Sequence, residues 1–537
     1  MRALMWSLAA GAVAISSPIP ARAQNGAIAL QVQADKPGPR ISRNIFGQFA
    51  EHLGTGIYGG VWVGKDSTIP NVRGIRSDVV AALKAIHVPS VRWPGGCFAD
   101  EYHWRDGIGD PATRKITVNS NWGGAIENNA FGTDEFFDFI GQIGADAYVS
   151  INIGSGTVKE AADWLAYMTA DPRSSAGQER AANGHRAPYK VKYLGLGNES
   201  WSCGGAMTAE HYVDEMKKYA RFVRNFNPAQ QDSSNPAADA ATSEPMQRIA
   251  VGPGDAKTIG YTEAVMKAWK DHDWAWSIEG LSLHNYTVVN WPPAYASVGF
   301  GEKEYAEIVK DTLRMKDLIR ANSAVMDKYD PEKKVPLVID EWGTWYAKLP
   351  GTPEGFLQQQ NSMRDAIIAA LNINIFARHA DRVRMTAIAQ MVNVLQAMIL
   401  TDGPRMVLTP TYHVFKMYVP FQDATSIPVA FDAGTYRFGD ISLPRVDAIA
   451  ARSTDGRLWL ALTNVDPNRP AEFETTIAGV TPRGASGTVL TAPRVDSVNT
   501  FKAPDAVSPR PIAAGVHDGK LRISLPPKSV AVLEVRG

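Results

Sequence analysis

Short apolar runs alternate with long amphipathic segments over the first two thirds of the chain, and a tract of short runs punctuated by Gly, Pro, Asp and Asn follows. This order predicts an α/β fold, a (β/α)8 TIM-type barrel followed by a jelly-roll-like antiparallel β-sandwich. Barrel-strand candidates are 44–50, 88–93, 147–153, 191–197, 248–252, 279–284, 335–340 and 386–392. Helical periodicity falls between them at 77–86, 134–143, 208–226, 262–269, 305–328 and 356–370. A doubly wound sheet is the competing arrangement, but no glycine-rich phosphate loop follows the first strand to support a nucleotide-binding version. After about Tyr418, the segments 447–453, 458–464, 471–477, 486–492, 521–525 and 529–535 read as sandwich strands. The segment 27–32 is expected to add an edge strand to them. The implied division is a leader over 1–23, an N-terminal segment over 24–43, a barrel over 44–417 and a sandwich over 418–537. The stretch 230–244, rich in Ser, Ala, Asn and Asp, reads as an exposed loop.

The bulk composition is that of a globular protein large enough for a barrel core. The 537 residues are 45% hydrophobic and 20% charged, and Lys+Arg and Asp+Glu both number 55. A net charge of zero gives no sign of steering toward nucleic acid or an anionic membrane, and it suits a neutral partner such as a glycan. At the N-terminus, Arg2, an apolar run over 4–15 and Ala21-Arg22-Ala23 form the pattern of an export signal cleaved near Ala23. The run is short for a membrane span, and no later stretch approaches that length. The expected destination is therefore secreted or periplasmic. Cys97 and Cys203 are the only cysteines, too few for a disulfide scaffold or a four-thiolate metal site.

Two segments carry the chemistry. In Tyr193-Leu194-Gly195-Leu196-Gly197-Asn198-Glu199, an apolar run ends in an amide and a carboxyl. Pro336-Leu337-Val338-Ile339-Asp340-Glu341-Trp342 repeats the arrangement. The C-terminal ends of barrel strands face the active site, so Glu199 and Glu341 are placed at one reactive mouth. Paired carboxyls serve glycosidic cleavage, one protonating the leaving oxygen and the other attacking or stabilising the anomeric carbon. Such residues also cap helices, bind metals or form buried ion pairs, and the local pattern leaves these options open.

Five ordered blocks narrow the choice. They are 44–54 (NIFGQFAEHLG), the run from Val91 through Trp93-Pro94-Gly95-Gly96 to Trp104-Arg105-Asp106-Gly107, Gly197-Asn198-Glu199, Ser282-Leu283-His284-Asn285-Tyr286 and Asp340-Glu341-Trp342-Gly343. With them the chain resembles the α-L-arabinofuranosidases of glycoside hydrolase family 51, retaining enzymes built on (β/α)8 barrels, and the region after the barrel resembles that family's C-terminal domain. The resemblance implies Glu199 as acid/base, Glu341 as nucleophile and Asn198 as a contact to the sugar 2-hydroxyl. It implies Glu51, Tyr286 and Gln390 as further substrate contacts; His284, close to Tyr286 in sequence, is a candidate beside them. No cofactor or metal is required. The implied substrates are arabinofuranosyl-bearing polysaccharides or oligosaccharides such as arabinan and arabinoxylan. The family also suggests a homo-oligomer, with a hexamer as the expected size.

The chain departs from one family pattern: Cys97 stands where an asparagine often touches the glycone. A thiol cannot supply an amide's paired donor and acceptor. Cys97 and Cys203 both follow strand ends, so a bridge across the mouth and two separate thiols remain alternatives. Other readings also stay open. His52 could face a carboxylate near the pocket or the backbone. Trp93, Trp104, Trp122, Trp201 and Trp342 could line the cleft or pack below it. Gly95-Gly96 and Gly204-Gly205 read as tight turns, and the exposed-looking Asp100-Glu101 is a weak calcium candidate. Competing functions are an endo-β-glucanase or xylanase sharing the same carboxylates, and a noncatalytic glycan-binding protein.

Overall fold

The computed structural model describes residues 26–230 and 244–537, so the leader and nearly all of the 230–244 segment lie outside the described residues. Eight parallel strands close a barrel: β1 (Gly47–Phe49), β2 (Ser90–Trp93), β3 (Asp146–Ile151), β4 (Val191–Leu196), β5 (Gln247–Ala250), β6 (Gly280–Thr287), β7 (Leu337–Thr344) and β8 (Val383–Ile388). Each strand pairs with its sequence neighbour, and β8 closes on β1. Tyr148, Tyr193, Ile249, Val338 and Met385 fill the barrel floor, so the interior is a packed core beneath the mouth.

All eight barrel strands fall within or beside the expected runs, but β6 and β7 continue past the ends read from the sequence. Their last residues include His284, Asn285, Tyr286 and Glu341, whose polarity interrupts the apolar pattern although the backbone stays extended. Register shifts between Ser282 and His284 bring His284 directly opposite Glu341. A second shift separates Ile339 and Trp342 against β8. Bulges of this kind re-aim side chains beside active sites.

The helical expectations need three corrections. The segment 305–328 is two helices, Glu302–Thr312 and Arg314–Tyr329, separated at Leu313. The segment 356–370 begins its helix only at Met363, where Ser362 and Asp365 form a capping box, and continues to Arg378. Helices Val158–Thr169, Ser175–Ala182 and Pro410–Met417 were not anticipated.

Residues beyond the barrel form a ten-stranded sheet folded into two layers. The strand Arg510–His517 turns the corner: its first part pairs with Gly484–Leu490, and its end pairs with Lys520–Leu525. The N-terminal strand Ile28–Val32 joins this domain as a next-to-edge strand. It lies between Ala471–Ile477, which it pairs in parallel, and the short edge strand Val429–Ala430. The sandwich is therefore antiparallel except at this one junction. Met363–Arg378 is nearly all buried because it lies against both the barrel and the sandwich, where Arg378 and Asn374 clasp Asp447 at 2.8–2.9 Å. No helix among the described residues is long and apolar enough to cross a membrane.

Candidate active site

Strands β1, β2, β4, β6 and β7 and the segment after β8 bring the candidate residues to one end of the barrel. Glu199 follows β4 with φ 38°, a left-handed conformation that is uncommon for a residue with a Cβ and often marks a functional position. Its neighbour Asn198 is fixed from both sides. The Asn198 backbone N–H donates to Asp100 Oδ2 at 2.8 Å, and its Oδ1 accepts from Arg92 Nη2 at 2.6 Å. Asp100 is buried and also accepts from the N–H groups of Ile153 and Gly154, both at 2.8 Å. Burial raises its pKa to about 7, against the pull of those backbone donors. Asp100 is thus an anchor for three loop amides, which overturns its reading as an exposed calcium ligand.

Glu341 sits within β7, buried, with a different donor on each oxygen. Arg92 Nη1 donates to Oε1 at 2.7 Å and the Tyr286 hydroxyl to Oε2 at 2.9 Å. Burial, reinforced by Glu341, holds the Tyr286 phenol well above its usual range, so it stays a donor. His284 bridges the carboxyls, its Nδ1 lying 2.8 Å from Glu199 Oε1 and 3.6 Å from Glu341 Oε2, while Nε2 faces Asp340 Oδ1 at 3.2 Å. Burial opposes a charged imidazole here, but Glu341 and then Asp340 outweigh it and raise the pKa to about 10. His284 therefore carries hydrogen on both nitrogens near neutral pH. Asp340, which also accepts from the Tyr148 hydroxyl at 2.7 Å, is held below the usual carboxylate range: burial works against its charge, and Arg92 and His284 overcome it.

A second carboxyl shell lies beside this group. Glu51 Oε1 accepts from Gly96 N, Phe98 N and Trp122 Nε1 at 2.9–3.1 Å, and Oε2 accepts from Gln390 Nε2 at 2.9 Å. Burial, then the neighbouring Glu341, raises Glu51 to about 7. Glu51 and Gln390 are 339 residues apart in sequence and meet because β8 pairs with β1. The Gly95-Gly96 pair lies where the chain bends after β2, and it also makes room for two carboxyls. A Cβ on Gly96 would stand 2.8 Å from Glu341 Oε1, and one on Gly95 would stand 2.9 Å from Glu51, so both are needed for close approach.

Cys97 and Cys203 form a disulfide beside Glu199, with Cα atoms 5.5 Å apart. It ties the segment after β2 to the turn that follows Glu199. Cys97, Glu199 and Cys203 cluster closely enough to hold a metal, but the bridge removes both thiolates. Glu199, His284 and Glu341 form another close set.

His52 belongs to the support below the pocket. Trp93 Nε1 donates to its Nε2 at 3.1 Å, so Nδ1 carries the hydrogen that Glu127 accepts at 2.8 Å. Trp93, Trp104 and Trp342 are buried in the core, Trp201 donates to the Gly252 carbonyl, and Trp122 reaches Glu51. Sequence reasoning assigned no role to Arg92, Asp340, Tyr148 or Trp345. Arg92 carried a usable signal, because a guanidinium inside an apolar strand must find anionic partners once buried.

One side-chain atom each of Glu199, His284 and Glu341 lies within 4.8 Å of the others, so the two glutamates bring carboxylate oxygens together at the mouth of the barrel. On a barrel of this kind, these features define a glycoside hydrolase. Comparison with known proteins identifies its family. Residues 82–258 match the model of the α-L-arabinofuranosidase 1 domain, and residues 340–529 match that of the α-L-arabinofuranosidase C-terminal domain. The intracellular exo-α-L-arabinofuranosidase of Bacteroides ovatus is 42% identical over 94% of this chain and 95% of its own. The crystal structure of the GH51 arabinofuranosidase from Xanthomonas axonopodis pv. citri is 50% identical, covers 95% of this chain and 100% of its own, and superposes with a TM-score of 0.89. The arabinose complex of α-L-arabinofuranosidase from Thermotoga maritima is 30% identical over 95% and 99% of the two chains, with a TM-score of 0.81. The chain belongs to the GH51 α-L-arabinofuranosidase family.

Proposed function

We propose that the protein removes terminal α-L-arabinofuranosyl units from arabinan, arabinoxylan or their oligosaccharides, with Glu341 as nucleophile and Glu199 as acid/base. The carrying observation is the close Glu199–Glu341 pair, bridged by His284 and backed by Arg92 and Tyr286. A Glu341 oxygen attacks the anomeric carbon as Glu199 transfers its proton to the departing glycosidic oxygen, giving a covalent arabinosyl-enzyme. Glu199 then takes a proton from water, whose oxygen attacks the same carbon and releases Glu341, so two inversions restore the starting configuration.

Arg92 and Tyr286 occupy both Glu341 oxygens and fix the carboxylate plane before attack. Arg92 also takes up the Asn198 carbonyl oxygen, so the N–H2 of that side chain, which donates to Cys203 Sγ at 3.7 Å, is the group that offers a second hydrogen to the sugar 2-hydroxyl. Glu51 and Gln390 supply further contacts to glycone hydroxyls. Cys97, spent in the bridge, gives no amide-like contact, so that part of glycone recognition passes to other groups. The disulfide suits an exported protein, consistent with a leader cleaved near Ala23; a homo-oligomer is proposed with it.

Hydrolysis of matched aryl glycosides tests the reading. Turnover of the α-L-arabinofuranoside with little on the β-glucoside and β-xyloside is expected. Cleavage of β-glucan without release of arabinose would overturn the substrate assignment.

A further inference from the structure

A cleft of about 760 Å³ opens where the barrel meets the sandwich, and none of the residues assigned to the reaction lines it. One wall comes from the outer helices of the barrel and the break between two of them, with Val309, Leu313, Leu371 and Ile375. The other comes from the sandwich side, with Ile427, Val429, Phe431 and Val446. Its size, its mostly apolar walls and its place at a domain interface are those of a small-molecule site.

The charged groups in the lining are few and unequal. Lys316, Arg320 and Arg378 stand against Asp317 and Asp447, an excess of one positive charge. Arg378 is already engaged, because Nη1 and Nη2 donate to the two Asp447 oxygens at 2.8 and 2.9 Å. Lys316 and Arg320 lie four residues apart on Arg314–Tyr329 and therefore share a face. Both are exposed, and neither forms an ion pair among the described residues. His379 does not add another cation. Its Nδ1 donates to the Ile375 carbonyl at 2.8 Å, and burial, helped by Arg320 and Arg378, holds its pKa below the usual imidazole range against that bond. Exposed cations are ordinary on protein surfaces; these two edge an aliphatic cleft.

We propose that the cleft binds a medium-chain carboxylate, with its alkyl tail along the aliphatic walls and its carboxylate on Lys316 and Arg320. The lining offers a single phenyl ring, Phe431, so a flexible alkyl body suits it better than a stacked aryl one. The charge excess selects a monoanion over a neutral or dianionic ligand, and the Arg320 guanidinium can take a carboxylate through two parallel N–H bonds. Because both domains line the cleft, the ligand stabilises their junction in proportion to its occupancy. This site is independent of the arabinofuranosidase reaction.

Calorimetric titration of the whole chain with decanoate and with decan-1-ol, both below their aggregation concentrations, tests it. Decanoate is expected to saturate at one per chain, and the alcohol, which has the same tail without the charge, to bind about tenfold more weakly or worse. The double variant Lys316→Glu/Arg320→Glu is expected to weaken decanoate binding by about tenfold or more, with wild-type circular dichroism and wild-type turnover of an aryl arabinofuranoside. The neutral change Arg320→Gln is expected to give a smaller loss in the same direction. No saturable decanoate binding, equal affinity for acid and alcohol, or variants that bind decanoate as wild type does would each overturn the proposal. So would sedimentation showing a wild-type oligomer that takes up no decanoate and that the double variant dissociates, since the cleft would then be covered by a second copy of the chain.

Discussion

Replacing Cys97 and Cys203 together by Ser is expected to lower unfolding free energy and turnover at once. The bridge joins residues 106 positions apart, so its loss frees a large closed loop in the unfolded chain. Loop-closure entropy for about 100 residues gives roughly 4.7 kcal/mol as the upper figure, and about 2–4 kcal/mol is what native bridges usually deliver. The local effect is separate. Cys203 lies four residues beyond Glu199, and its Sγ is 3.8 Å from Glu199 Oε2, so the freed turn carries the proposed acid/base. Urea unfolding of the oxidised wild type and the double Ser variant measures the first effect. Steady-state kinetics on an aryl arabinofuranoside, whose good leaving group needs less protonation, and on an oligosaccharide, whose poor one needs more, measure the second. The variant is expected to unfold at lower urea and to lose more kcat on the oligosaccharide. A variant with wild-type unfolding and wild-type kcat on both substrates would refute the reasoning.

Three further perturbations follow from the pocket. Tyr286→Phe removes a charge-assisted hydrogen bond worth about 1.5–3 kcal/mol, so kcat on an aryl arabinofuranoside should drop roughly 10- to 150-fold with the fold intact by circular dichroism. Arg92→Met removes one of the two buried cations, Arg92 and His284, that face Glu341 and Asp340; a stability loss of about 3–5 kcal/mol is expected in denaturant titration, and a loss below about 1 kcal/mol would contradict the assigned charge balance. Glu51 holds its proton up to about pH 7 when folded, against 4.5 for an ordinary glutamate. The folded state thus binds more protons across that window, and this group's contribution to stability falls as pH rises from 4.5 to 7, by about 3 kcal/mol in all. Glu51→Gln should abolish that decline, and parallel pH–stability curves for the two proteins would count against it.

Sequence patterns revealed some of this site and hid other parts for physical reasons. Glu199 was legible because an uninterrupted apolar strand delivers it to the barrel mouth. Glu341 was legible as a residue, but its place inside a strand was not, since β6 and β7 keep extended backbone while their inward side chains turn polar. Arg92, Asp340 and Tyr148 were missed because their roles arise from contacts between distant strands; the Tyr148–Asp340 bond spans 192 residues. The helix break at Leu313 was hidden by amphipathic periodicity that runs through both halves. Met363–Arg378 is buried nearly all round because two domains cover it, so its pattern has no exposed polar face and periodicity could not locate its start; the Ser362–Asp365 cap could. The cysteines illustrate the remaining limit. Their count allowed a bridge, and only the folded separation of 5.5 Å between Cα atoms decided it.

The assignment of opposite roles to the two glutamates is tested most directly by azide rescue of Glu199→Ala and Glu341→Ala on an aryl α-L-arabinofuranoside, reading the anomer of the arabinosyl azide by NMR. In Glu199→Ala the covalent intermediate still forms and azide intercepts it, so the α-azide is predicted; in Glu341→Ala azide replaces the nucleophile in a single inversion, so the β-azide is predicted. The same anomer from both variants, or the reverse pairing, would contradict the account.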